Sequence, residues 1–178
     1  MLNSPLARAA RWASRLFSGV FAGFLMGVLV LEWSLRSFDR HVYTQVRQVE
    51  LDSLDRLAVG TLLPALLATA LLTVISARAT KRVPWLPLTA LTLLIAILVL
   101  TVEINLPINA DQLAWNAQAP PANWASVRDR WQIAHAVRSA AALLAFAVLS
   151  ADTTKGAASR AVPDAVSTDR ELPAVPTN

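Results

Sequence analysis

The sequence predicts an all-α protein built as a bundle of four transmembrane helices. Of its 178 residues, 55% are apolar and 16% are charged, whereas about 25% are charged in ordinary soluble proteins. Four apolar runs are each long enough for a helix to cross a hydrocarbon core of about 30 Å. All six tryptophans lie near the expected ends of these runs, where membrane proteins concentrate them. The spans are predicted at about residues 16–35, 57–77, 85–103 and 132–150, inside a membrane domain of residues 1–150.

The first run follows three arginines, as the apolar part of a signal peptide would. It continues into Glu32 and Trp33 without an Ala-x-Ala-like cleavage site, so we expect a retained helix. Its glycines recur at every fourth position, and small residues at that spacing let another helix approach closely. We expect them to pack inside the bundle, and a homo-oligomer contact is the alternative; the glycines are Gly19, Gly23 and Gly27.

The connection over residues 36–56 has valines at helical spacing, which predicts an interfacial helix rather than an open loop. Pro64 is expected to kink the second helix because it removes a backbone donor. Pro107 cannot donate to the carbonyl of Glu103, so the third helix is expected to end near residue 103 and to be followed by an ordered loop. Asn123 is a candidate N-cap for the fourth helix.

From residue 151 the composition changes to alanine, threonine, serine and proline, which predicts a disordered tail over residues 151–178. Nine basic and four acidic residues lie on the side that holds both termini, whereas seven basic and eight acidic residues lie on the other side. The positive-inside rule therefore predicts cytoplasmic termini in a multi-pass protein of the cell membrane. This placement of the basic residues explains the net charge of +4 by the orientation of the protein in a bilayer. The charge therefore does not indicate binding of nucleic acid.

Four ionisable residues fall at membrane depth, where each costs at least about 2.5–3.5 kcal/mol and by default marks a functional site. Glu32 and Glu103 end helices that run outward, whereas His135 and Arg138 begin a helix that runs inward. All four are therefore expected in the outer half of the bundle. The sequence predicts a polar pocket that opens to the extracytoplasmic side.

One face of the fourth helix alternates aromatic and cationic groups within an arc of about 80°. An interfacial anchor with snorkelling arginines is the structural alternative for its outer residues. The third helix contributes two amides just beyond Glu103, at Asn105 and Asn109. The residues of the face are Trp124, Arg128, Trp131, His135 and Arg138.

Two ion pairs would give the acidic residues a structural role instead. Glu103 could pair with Arg138 and pin the third helix to the fourth. Glu32 has Arg36 four residues further on, which is the spacing of a helical ion pair.

The run Val102–Asn109, followed by Leu113 and Trp115 and then by the face just described, resembles the anthrone-oxygenase-like family of small four-helix membrane proteins. Most bacterial members of that family are uncharacterised, and characterised fungal relatives oxidise anthrones to anthraquinones without a cofactor. The resemblance covers about residues 16–150, and its distinctive motifs occupy residues 102–138. It nominates as pocket residues Asn109, Trp124, Arg128, Trp131, His135 and Arg138.

The residue types suit that chemistry, because a base can convert an activated aromatic CH2 into a carbanion that reacts with O2 without a metal. His135 or Glu103 is expected to be the base, and Arg138 is expected to stabilise the oxyanion. We expect no cofactor and a small apolar aromatic substrate, anthrone- or quinone-like. The remaining substrate contacts are predicted at Asn105, Asn109, Trp124, Arg128, Trp131 and Glu32.

Three other functions compete with an oxygenase. A non-enzymatic accessory subunit or lipid-binding scaffold would use the glycines and the interfacial tryptophans. A haem protein would need His41 and His135 as axial ligands; the absence of cysteine excludes thiolate ligands, and two histidines exclude a three-histidine metal site. A transporter would need inverted repeats or charges at the membrane midplane, which four such helices do not provide.

Overall fold

The computed structural model describes residues 4–158, with side chains described as far as Ala151. Short 3-10 and π turns connect its helices. The 3-10 turn is Leu35–Ser37, and the π turn is Thr101–Asn105. The α-helices are α1 (Pro5–Ser34), α2 (Arg40–Thr80), α3 (Trp85–Leu100), α4 (Leu106–Leu113) and α5 (Trp124–Ala158).

These elements form the predicted four-helix membrane bundle. Within the described residues, α1, α2, α5 and the continuous run from α3 through α4 are each long and apolar enough to cross a bilayer. The helices make a ring in which α1 contacts α2 and α5, while α3 contacts α5 and α2. We call the end where α1 ends and α5 begins the outer end, because the positive-inside rule predicts that it is extracytoplasmic.

The centre of the bundle is filled by alanines and large aliphatic side chains. Leu25, Leu72, Leu94 and Ile97 are almost completely buried, and small residues such as Ala145 let the helix backbones approach closely. The outer faces remain apolar and exposed, as expected for helices in contact with lipid.

The glycines of α1 do not all pack inside the bundle. A Cβ on Gly19 would lie 2.9 Å from Cε2 of Phe146, whereas a Cβ on Gly23 or Gly27 would meet nothing within 4 Å. The prediction of tight internal packing was therefore wrong for Gly23 and Gly27, because the buried face of α1 is set by larger residues such as Phe21. A homo-oligomer contact through these two glycines stays a prediction.

Alanine substitutions should separate the two environments on α1. We expect Gly23→Ala to raise the free energy of unfolding by about 0.5–1 kcal/mol, since alanine favours helix and the methyl group meets nothing. Gly19→Ala should gain less or lose, because the Phe146 ring must move. Thermal unfolding of both variants in one detergent measures the difference, and equal shifts would contradict the packing at Gly19.

α2 is a single helix of 41 residues, about 60 Å long. The segment predicted as a separate interfacial helix is its N-terminal part, continuous with the second span. Asp39 starts the helix by accepting hydrogen bonds from the backbone N–H groups of His41 and Val42. The helix also continues through Pro64. The polar residues of its N-terminal part are therefore on the same helix as the second span and lie in the outer half of the bundle.

The third span does not end near residue 103. The chain passes from α3 into the π turn, where the N–H of Leu106 bonds to the carbonyl of Thr101, and then into α4. Pro107 thereby stands in the first turn of α4, where its missing N–H is not needed. The turn holds one residue more than an α-helical turn, so it shifts the face of later residues by about 100°.

α5 begins at Trp124, directly after Asn123, whose backbone carbonyl accepts from the N–H groups of Ser126 and Val127. The helix extends to Ala158, so its backbone continues beyond residue 151, where the sequence predicts the tail to begin. The rest of the predicted tail, residues 159–178, lies outside the described residues.

Candidate functional site

A cavity lies between the helices in the outer half of the bundle. The empty space between its walls is about 560 Å³, counting the part that opens to the surroundings. Its walls are largely apolar, and a few polar side chains from α2, the third span and α5 point into it. Those polar residues are Arg47, Glu50, Asp55, Thr101, Asn109, Trp131, His135 and Arg138.

A column of four side chains crosses one wall of the cavity. The guanidinium carbon of Arg47 lies 3.8 Å from the centre of the Trp131 ring. The ring of His135 stacks on Trp131 with a centroid distance of 4.7 Å and an interplanar angle of 9°. Two groups at these distances cannot share one ring face, so Trp131 is held between a cation and an imidazole. Arg138 completes the column, with Nη2 2.8 Å from Nδ1 of His135.

The partners of His135 fix its proton. Nε2 lies 2.9 Å from the carbonyl oxygen of Leu25, which can only accept, so Nε2 carries the hydrogen. Nδ1 then accepts from the guanidinium of Arg138, and the imidazole is neutral. Both ring nitrogens are engaged, so His135 has no free lone pair for a proton or a haem iron. The geometry argues against the predicted base role of His135, and against its pairing with His41 at a haem.

Arg138 is a buried cation whose partners are neutral. Only 8% of the residue is exposed. Nη1 donates to Oγ1 of Thr101 at 2.8 Å and Nη2 donates to His135, while Nε has no partner. No described carboxylate lies within ion-pair distance of it. The charge of Asp55 acts on Arg138 only from beyond ion-pair distance. A buried cation without an ion-pair partner is costly, so this wall of the cavity favours an anionic ligand group.

Glu103 does not supply the missing counter-charge. Its side chain is exposed and is not part of the cavity wall, and the predicted ion pair with Arg138 does not form. Thr101 and Asn105 face the bundle, and Glu103, two residues from each of them, lies on the opposite side of the turn. We therefore assign Glu103 no role in the cavity.

Two carboxylates line the cavity, Glu50 and Asp55, and Asp55 has the fewer hydrogen-bond and ion-pair partners. It is half-buried, and Oδ1 accepts one long hydrogen bond of 3.5 Å from Nδ2 of Asn109. Glu50 also lines the cavity, but its carboxylate is bound to Arg47 at 3.0 Å. Asp55 is therefore the group best placed to accept a proton from a ligand in the cavity.

Arg47 is the centre of a buried polar cluster at the outer end of the cavity. Its Nη1 lies 3.1 Å from Oε1 of Glu32 and 3.0 Å from Oε2 of Glu50. Nη2 donates to Oδ1 of Asn109 at 2.8 Å, and Nε donates to Oε1 of Gln112 at 2.9 Å. One guanidinium therefore ties α1, α2 and α4 together through two carboxylates and two amides.

The predicted pairing of Glu32 with Arg36 was wrong. The 3-10 turn that follows α1 directs Arg36 toward α5, where it binds Oε1 of Gln132 at 2.6 Å and Oδ1 of Asp129 at 3.2 Å. Glu32 is completely buried and accepts from Nε2 of Gln132 as well as pairing with Arg47. Glu32 therefore supports the cavity from behind and does not line it.

The exposure of its lining residues indicates that the cavity opens elsewhere than at the predicted extracytoplasmic end. The cluster around Arg47 closes its outer end with residues that are all buried, among them Asn109 and Gln112. The most exposed lining residues are apolar instead: Val59 on α2 is 56% exposed and Leu106 on α4 is 45% exposed. The opening therefore lies on the side of the bundle, between α2 and the third span.

The remaining predicted site residues lie in three places. Asn109 and Trp131 line the cavity, joined by a hydrogen bond of 2.7 Å from Nε1 of Trp131 to Oδ1 of Asn109. Asn105 is buried outside the cavity wall, with Nδ2 3.5 Å from the carbonyl of Trp131. Trp124 and Arg128 pack on each other further out, with the guanidinium carbon 4.8 Å from the indole ring, and they do not reach the cavity.

Sequence reasoning missed Arg47, Glu50 and Asp55 because it treated the segment before residue 57 as separate from the second span. A signal was present. The buried residues of α2 recur at steps of three and four within residues 61–72 and again within residues 43–51. Half-buried residues at the same spacing, Leu54 and Ala58, join the two stretches. Following that face outward identifies Leu62, Leu51, Glu50, Arg47 and Tyr43.

Comparison with known proteins gives one match. The family model described as anthrone oxygenase matches residues 55–148, which is more than half of the chain. No curated protein and no solved structure matches. The matched segment begins at Asp55 and includes the cavity residues Thr101, Trp131, His135 and Arg138. The chain therefore belongs to the anthrone oxygenase family.

Proposed function

We propose that this protein is a membrane-embedded oxygenase that oxidises a small apolar aromatic molecule, anthrone- or quinone-like, without a cofactor. The observation that carries the proposal is Arg138, a buried guanidinium without a carboxylate partner among the described residues, in the wall of a largely apolar cavity. Such a group stabilises a negative charge that develops on a bound molecule.

The reaction begins with transfer of a proton from the activated CH2 group of the substrate to Asp55. The electron pair delocalises onto the aromatic carbonyl oxygen, which Arg138 stabilises as an oxyanion. The carbanion carbon then forms a bond to O2, and the resulting peroxide takes the proton back from Asp55. Loss of the second C–H proton and cleavage of the O–O bond release water and leave a carbonyl. One O2 is consumed for each CH2 converted to C=O.

The apolar walls support this chemistry in two ways. Phe24, Leu25 and Leu54 line the cavity and suit the faces of an aromatic ring system. They also keep water away from the charged groups, and an electrostatic interaction is stronger in a medium of low dielectric constant. The oxyanion therefore gains more from Arg138 here than it would in water.

The direct test is turnover of anthrone by the protein in lipid nanodiscs, followed by O2 uptake and anthraquinone formation above the background of empty nanodiscs. We expect equal amounts of O2 consumed and product formed. Asp55→Asn should lower kcat about 10²- to 10⁴-fold, as expected when a general base is removed. Asp52→Asn changes an exposed carboxylate on the same helix and should leave the rate unchanged. An inert wild-type protein would contradict the proposal.

A non-enzymatic lipid-binding scaffold is the second candidate. The lateral opening and the exposed apolar faces beside it favour this function, since an acyl chain could enter there as well as an aromatic ring. Mass spectrometry of the purified protein distinguishes the two. A stoichiometric bound lipid in a protein that does not oxidise anthrone would favour the scaffold.

A further inference from the structure

The cavity is closed toward water and open toward the side of the bundle. At its outer end, Arg47 binds Asn109 and Gln112 across the gap between α2 and α4. Each of these three residues is at least nine-tenths buried. A ligand arriving from the outer aqueous phase would have to break these charge-assisted hydrogen bonds, which are the stronger class in proteins.

The side opening has the opposite character. Its two most exposed lining residues, Val59 and Leu106, are aliphatic. The exposed residues beside them on both helices are aliphatic too, including Leu63 on α2 and Val102 in the π turn. A surface of this kind, on helices apolar enough to span a bilayer, matches acyl chains and not water.

The π turn makes room for the opening. Its i→i+5 hydrogen bond from Leu106 to Thr101 brings both residues to the cavity wall. In an uninterrupted α-helix, residues five apart would differ by about 140° and could not both face the cavity. The wide turn therefore sets Leu106 at the rim while Thr101, deeper inside, holds Arg138.

We infer that the ligand enters this cavity sideways from the outer leaflet of the membrane, through a mouth formed by Val59 and Leu106. The ligand class is a membrane-dissolved apolar molecule that places one anionic or acceptor oxygen toward Arg138. The inference rests on the proposed function only for the choice of an anthrone-like ring, since the route follows from the closed outer end and the apolar mouth.

The environment of the mouth can be measured directly because the chain has no native cysteine. Single nitroxide labels at Val59→Cys and Leu106→Cys should collide more with O2, which dissolves in lipid, than with a water-soluble nickel chelate. A label at Asp52→Cys, on an exposed polar position of α2, should show the reverse. Preferential collision of the mouth labels with the nickel chelate would overturn the route.

The route itself is tested with anthraquinone, a probe that does not react, in the protein in nanodiscs. Saturable quenching of tryptophan fluorescence reports its binding. The double variant Val59→Phe/Leu106→Phe should slow binding and release about tenfold, as a step that restricts entry does. The matched variant Leu63→Phe/Val102→Phe adds the same bulk at exposed positions outside the cavity and should leave both rates unchanged.

Equal binding rates in the two double variants would overturn lateral entry. Because the readout is binding and not turnover, this result is separate from failure of the proposed reaction. If the protein oxidises anthrone but both double variants bind anthraquinone at the same rate, the proposed function stands and lateral entry is refuted. If the protein does not oxidise anthrone but Val59→Phe/Leu106→Phe alone slows binding of anthraquinone, lateral entry stands and the proposed function is refuted.

Discussion

Replacing Arg138 by leucine should lower kcat/KM for anthrone about 100- to 1000-fold, the effect expected when a group that stabilises an oxyanion is lost. Arg138→Lys keeps the charge but cannot reach both Thr101 and His135 with a planar fork, so we expect an intermediate rate. Arg130→Leu, an exposed position on the same helix, is the control and should leave kcat/KM unchanged. The comparison is made at anthrone concentrations well below KM.

Stability measurements separate this role from a structural one. Arg138 has no carboxylate partner in the described part of the chain, so its removal leaves no buried acid uncompensated. The free energy of unfolding of Arg138→Leu should therefore fall little or rise. If the rate and the stability fell together, Arg138 would be holding the bundle and the proposed catalytic role would fail.

Arg47→Met should show the opposite pattern, with a loss of about 3–5 kcal/mol in the free energy of unfolding. The substitution removes the cation shared by Glu32 and Glu50 and leaves two buried carboxylates facing each other. Reversible unfolding in one detergent measures the loss. Arg40→Met, an exposed position on the same helix, is the matched control and should cost less than about 1 kcal/mol.

A compensated variant tests whether the buried charges are the cause. With Glu32→Gln and Glu50→Gln added, Arg47→Met should recover most of the lost stability, since no unpaired charge then remains in the cluster. A loss that persists in the triple variant would mean that packing of Arg47 against Trp131, and not charge, holds the outer end together.

The four spans were predictable because the length of an apolar run follows from the thickness of the hydrocarbon core. The ends of the helices were not, since local chemistry sets them. Asp39 caps α2 far beyond its apolar run, and the π turn lets the third span continue past Pro107. Hydropathy contains no information about either event.

The site was predictable where one uninterrupted helix carries it. Trp131, His135 and Arg138 share a face of α5, and the regular 100° step places them together in the structure as in the sequence. Glu103 was predicted from its depth in the membrane alone, whereas the 100° step places it about 200° from Thr101, on the exposed face where the structure has it. The partners of Glu32 and Arg138 depend on contacts between distant segments, which spacing along one helix cannot give.

The five residues of the π turn have a genetic consequence. Loss of a single codon between Thr101 and Asn105 would convert the wide turn to an ordinary α-helical turn and leave α4 facing nearly as it does now, because the residue removed is the extra one. Gain of a codon would instead rotate α4 by about 100°. After such a gain, Asn109 and Gln112 would turn away from Arg47, and their hydrogen bonds at the outer end would be lost. We therefore expect a gene library to tolerate loss of one residue in this stretch better than gain of one.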